Sequence, residues 1–196
     1  MNLIESHYNS NWTYLNKPTE KETPYILASI KERLLFDTFW QSRQDFTINA
    51  FSYVESKASW DIYYTSGGTK YLAEIKIRNY NSNQFFTEGW ALEETKYLKL
   101  IDYIKTPKAK EKGVKAVYVN VFFDGVMIWN VNELKNYKFQ WKKFPKSSVC
   151  DKGFIMKNVT LLLKNSGTFY RLPVNLSEAS RNAKTVFHYL YPSTLI

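Results

Sequence analysis

Asp61, Glu74 and Lys76 are the side chains whose types and spacing suggest chemistry. Glu74 and Lys76 flank Ile75, and Asp61 precedes them across a dozen residues. Two carboxylates about 5 Å apart repel by roughly 3 kcal/mol at an effective dielectric near 20. Thr or Gln at either position would avoid that cost. A divalent cation turns the repulsion into coordination, because hard Mg²⁺ takes one or two carboxylates together with waters and phosphate oxygens. A neighbouring lysine is then placed to orient or deprotonate a water, or to steady a developing charge.

The segment Trp60 to Tyr80, WDIYYTSGGTKYLAEIKIRNY, is what must bring these groups together. It predicts a β-hairpin turning at Gly67-Gly68, since adjacent glycines supply the positive φ angles of a tight turn. With the turn centred there, Ser66 pairs with Thr69, Tyr64 with Tyr71, Ile62 with Ala73 and Asp61 with Glu74. Paired residues share a face and faces alternate along a strand. One face then carries Ile62, Tyr64, Tyr71, Ala73, Ile75 and Ile77, a core face. The other carries Asp61, Glu74, Lys76 and Arg78. Arg78 is a candidate for bidentate contact with a phosphate. The competing reading is an edge hairpin with solvated charges on its outer face.

Asp61, a gap, and Glu74-Ile75-Lys76 on the second strand of a hairpin resemble the PD-(D/E)XK nuclease superfamily, over about residues 25 to 120 by element order. Trp60 stands where the family name has Pro. The resemblance implies an α/β fold with a restriction-endonuclease-like core, a mixed central sheet flanked by helices. It implies Mg²⁺, with Mn²⁺ as a substitute, held by Asp61, Glu74 and the backbone carbonyl of Ile75. Lys76 would position the attacking water. Relatives of this type often take a further acidic ligand from the first helix, where Glu32 is the candidate; its alternative is an ordinary solvent-facing helix charge pair. The helix after the Glu-x-Lys strand often presents a cation to the substrate, and Lys96 is that position; its alternative is a pair with Glu93 or Glu94. The resemblance favours DNA as the substrate, an endonuclease mode and a homodimer. A nuclease-like domain without activity, acting as a nucleic-acid-binding or phage assembly component, is the alternative function. A third is a structural protein whose basic surface meets an acidic protein.

The totals set the frame. The 196 residues suit a single domain, expected as an arm over 1–19, a core over 20–130 and a basic, β-rich extension with a C-terminal helix over 131–196. A net charge of +9 favours a polyanionic partner, nucleic acid first. The single cysteine, Cys150, excludes a disulfide framework and a Cys-based zinc site and suits a reducing cytoplasm. His7 and His188 lie far apart, which argues against His-dependent nuclease or hydrolase chemistry. No apolar run has the length of a membrane span, and no signal-peptide pattern opens the chain.

Along the chain, apolar spacing predicts a helix from about Pro24 to Trp40 and a strand over Asp45–Glu55. A second helix is expected over Thr87–Thr106, stopped by Pro107, with a charged loop over Lys108–Gly113. Two strands, 114–120 and 121–129, should join through Asp124-Gly125. The 132–157 region interleaves Lys138, Lys142, Lys143 and Lys146 with Tyr137, Phe139, Trp141 and Phe144. These lysines are the expected electrostatic footprint for nucleic acid. Residues 159–164 and 168–172 predict a further hairpin, and 176–190 a helix.

Overall fold

The computed structural model describes residues 27, 31, 35, 48–53, 60–78, 80–84, 89–134, 137–146 and 153–171. The Glu-x-Lys hairpin forms with the predicted register. Strand β2 (Ile62–Ser66) pairs antiparallel with β3 (Thr69–Ile77), matching Ile62 to Ala73, Tyr64 to Tyr71 and Ser66 to Thr69. Gly67 and Gly68 take φ of 53° and 75°, the left-handed values that side chains disfavour. This hairpin is interior, which removes the edge-hairpin reading. Strand β1 (Ile48–Tyr53) pairs with β2 on one side, and β5 (Lys115–Phe122) runs parallel to β3 on the other.

A parallel neighbour requires a long crossover. Here it holds strand β4 (Trp90–Glu93), helix α1 (Glu94–Ile104) and helix α2 (Pro107–Glu111). Pro107 ends α1 as expected, but it also opens α2 at a position where its missing N–H costs nothing, in place of the predicted charged loop. Strand β6 (Gly125–Asn130) returns antiparallel to β5 around Phe123-Asp124, one residue earlier than predicted. β9 (Thr168–Arg171) closes a six-stranded mixed sheet in the order β1-β2-β3-β5-β6-β9. A mixed α/β architecture of this kind is what the sequence predicts for a restriction-endonuclease-like core. The apolar run of β5 is buried almost throughout, the mark of a strand covered on both faces.

Two expectations fail here. Trp90–Glu93 is strand, not the first turn of a helix: it pairs with β8 (Phe154–Leu162), which also pairs with β7 (Gln140–Pro145) in a separate three-stranded sheet. The predicted 159–172 hairpin is also absent, because β8 and β9 belong to different sheets, joined by a 3-10 turn at Lys164–Ser166.

Both faces of the main sheet are buried. Ile62, Tyr64, Ala73, Ile75, Val117, Val119, Val121 and Val126 pack with Leu35 on one side. Leu72, Tyr118, Phe122 and Trp129 pack on the other with Leu100 of α1 and with Trp90, Leu92 and Leu162 of the small sheet. The face expected to carry only charges therefore has a core of its own, and the charged groups lie beside it. Among the described residues no helix is long and apolar enough to cross a membrane. The predicted 176–190 helix lies outside the described residues.

Candidate active site

Asp61 occupies a bend just before β2. Regular pairing starts at Ile62 and Ala73, so Asp61 is not the direct cross-strand partner of Glu74 that the hairpin arithmetic predicts. Its backbone N–H donates to the carbonyl of Ala73 (2.9 Å). Its Oδ2 accepts from the N–H of Ile75 at 2.7 Å, a charge-assisted bond. The carboxylate thus stands in for the next strand residue and holds itself at the end of β2. In a ladder the N–H and C=O of one residue address the same neighbouring strand. The Ile75 carbonyl therefore opens into the gap beside Asp61.

Glu74 is fully buried. Lys96 Nζ, from α1, donates to its Oε2 at 2.9 Å. Lys76 Nζ lies 3.2 Å from its Oε1, an ionic contact without the geometry of a hydrogen bond, so Oε1 remains a buried acceptor with no hydrogen-bond partner. Burial, and secondarily the negative charge of Asp61, raise the Glu74 pKa; Lys76 and Lys96 pull against them and do not win. The role of Lys96 as a partner of Glu93 or Glu94 does not hold. Glu93 instead pairs with Lys157 (2.7 Å), and Glu94 accepts from Asn158 Nδ2 (2.7 Å). Both changes follow from the strand at 90–93, which shifts the start of the helix.

Arg78 continues past the end of β3, its N–H donating to the carbonyl of Val121 at 2.8 Å. Its Nε donates to Asn120 Oδ1 at 2.6 Å, and its Nη2 to the Tyr118 hydroxyl at 3.5 Å. Asn120 is fully buried opposite Lys76, and its Nδ2 has no hydrogen-bond partner. The Tyr118 hydroxyl donates to the Ala91 carbonyl (2.9 Å), and burial raises its pKa against the nearby charges of Arg78 and Lys76. Sequence reasoning missed Asn120 and Tyr118. The available signal was Asn120 itself, a lone amide in the apolar run VYVNVF.

The structure therefore brings Asp61, Glu74, Ile75, Lys76, Arg78 and Lys96 into one neighbourhood. Lys138, Lys143 and Lys146 are exposed and Lys142 half-buried on the β7 segment of the small sheet, apart from the carboxylates. Glu32 lies outside the described residues, as do both histidines. No group of three or more His, Cys, Asp or Glu occurs among the described residues. Two carboxylates, one of them with its buried Oε1 orphaned, and a strand carbonyl are nevertheless a hard, all-oxygen donor set, which fits Mg²⁺ or Mn²⁺ with waters completing the shell.

No family model matches the chain, and no curated protein matches it. Among solved structures it is similar to Hjc, a Holliday junction resolvase from the archaeal hyperthermophile Archaeoglobus fulgidus, with 16% identity and a TM-score of 0.40 over 70% of this chain and 94% of that one. At that level the likeness assigns this chain neither a family nor an activity.

Proposed function

We propose that this protein is a metal-dependent nuclease that hydrolyses DNA phosphodiester bonds, acting as an endonuclease. One observation carries the reading: a carboxylate anchored on a strand N–H stands beside a buried glutamate whose ionisation burial opposes, with a part-exposed lysine 3.2 Å from that glutamate. A fold seldom keeps such a pair without a ligand for it. Asp61, Glu74 and the Ile75 carbonyl would hold Mg²⁺ or Mn²⁺, with Glu32 as a further ligand. The ion would supply Lewis-acid polarisation of the phosphate and a water of lowered pKa. Lys76, with its side chain 39% exposed, can reach that water and orient it. Arg78, held through Nε by Asn120 and through Nη2 by the Tyr118 hydroxyl, would offer its remaining donors to a phosphate oxygen. Lys96 balances the charge of Glu74 when no ion is present, and turns to the substrate when one is. Lys138, Lys142, Lys143 and Lys146 supply salt-dependent attraction to the backbone. A homodimer would place two such centres on one duplex.

The test is cleavage of supercoiled, linear, branched and single-stranded DNA in Mg²⁺ or Mn²⁺, beside Asp61→Ala and Lys76→Ala. Both variants should fall to background. Parental rates in both would reject this site.

The two ammonium groups on Glu74 favour a second reading, a nuclease-like domain that binds nucleic acid without cutting it. In that case binding would be salt-dependent and indifferent to both metal and Asp61.

A further inference from the structure

The ribbon of β7 and β8 carries apolar surface that the cleavage chemistry does not use. Direct pairing sets Trp141 against Asn158, Lys143 against Met156 and Pro145 against Phe154, so these six residues share one face. Further along β8 the same face holds Thr160 and Leu162, both buried, Leu162 in the core on the Glu74 side of the main sheet. Towards the tip it is open among the described residues: Trp141 is 67% exposed, Phe154 61% and Met156 52%. The inner face of the small sheet thus overhangs what it packs on, and Asn158, at the junction, is tied to Glu94 in the first turn of α1.

The chemistry of the overhang selects its occupant. Residues 137–146 and 153–163 contain five lysines and no carboxylate. Lys143 holds its ammonium 4.5 Å from the centre of the Phe154 ring. A buried apolar protein interface depletes lysine at its centre, whereas flat aromatics among cations suit unpaired bases and their phosphates. Duplex DNA hides its base faces in the stack and offers Trp141 nothing to stack on. We propose that this face is a stacking platform for single-stranded nucleic acid, with Trp141 and Phe154 taking bases and Lys143, with Lys146 just past the end of β7, taking the flanking phosphates. It shares lysines with the backbone attraction proposed above but not the chemistry of cutting, because no residue of the platform belongs to the carboxylate site.

The experiment measures binding of the full chain to a labelled single-stranded oligothymidylate and to a duplex of equal length, in EDTA, over a salt series. The parent should prefer the single strand. Trp141→Ala should weaken single-strand binding about 10-fold, within the range for loss of one base–aromatic stack, with duplex binding changed less than about 2-fold. Trp141→Tyr should restore most of the loss and Trp141→Leu should not, which separates stacking from apolar docking. Lys143→Ala should instead reduce the salt slope by about one counterion. Trp141 is exposed, so an unchanged melting temperature will accompany these effects. Asp61→Ala should bind the single strand like the parent, so a failed cleavage assay leaves this test intact. Equal single-strand affinity in the parent and Trp141→Ala overturns the proposal. So does full rescue by Leu, or a parental dimer that Trp141→Ala dissociates, which would make the face an interface between copies.

Discussion

Replacing Glu74 with Gln should stabilise the metal-free protein at neutral pH while destroying its response to metal. The lysine ammoniums stand 2.9 Å and 3.2 Å from the carboxylate. Each attracts it by about 1.4 kcal/mol at the dielectric of water and by about 5 kcal/mol at an effective value of 20. Both lysine side chains keep about a third of their exposure, which puts the sum in the lower part of that range, at about 3–5 kcal/mol. Opposing it are a carboxylate desolvation cost of several kcal/mol and the repulsion of Asp61. The raised Glu74 pKa says that the opposing side prevails. Gln keeps the shape and an acceptor for Lys96 and carries no charge. A gain of about 1 kcal/mol, or about 2–4 °C in Tm for a chain of this size, is expected.

The pH dependence follows from the same shift. The folded pKa lies above the ordinary value of 4.5, so between the two the native state binds more protons than the unfolded chain. The Glu74 contribution to stability therefore falls as pH rises through that window. The advantage of Gln should be absent below about pH 4.5 and complete above the folded pKa. Thermal melts of both proteins from pH 4 to 8, in EDTA and in Mn²⁺, read all of this. Saturating Mn²⁺ at about 100 times Kd should raise the parent by about 2.7 kcal/mol and leave the variant unmoved. A variant that melts below the parent at pH 7 in EDTA would refute the reasoning, because Glu74 would then be the stabilising half of a structural ion pair.

Two further substitutions test the geometry. Asp61→Asn keeps an oxygen acceptor for the Ile75 N–H, so it should fold within about 1 kcal/mol of the parent by denaturant titration while cleavage drops to background. Gly125→Ala places a Cβ 2.4 Å from Phe169 Cζ and 2.5 Å from the Tyr170 carbonyl oxygen, so it should lose about 1–3 kcal/mol in the same titration by forcing β9 off β6.

What the sequence alone determined was local. Gly67-Gly68 selects a tight turn, the turn sets the β2–β3 register, and the alternation of residues then places Glu74 and Lys76 on one face without reference to distant parts of the chain. Composition likewise spoke against a disulfide framework and a Cys-based zinc site, with one cysteine and two distant histidines in the chain.

Tertiary structure decided whatever depended on distant partners. The stretch Trp90-Ala91-Leu92-Glu93 suits one face of a helix as well as a strand; β8, about 70 residues on, made it a strand by offering a free ladder edge. The segments 159–164 and 168–172 look like neighbours in a hairpin, yet separate sheets claimed the strands there. Asp61 left the strand register because the end of β2 frees the Ile75 N–H for its carboxylate. Lys96 found Glu74 rather than a helix neighbour because a buried charge draws the nearest cation that can reach it. The polar support of Arg78 by Asn120 also arose only when β5 was laid parallel beside β3. Turn chemistry and alternation act over a few residues and can be read from a chain; burial, and the charge pairing it compels, depend on which elements pack together.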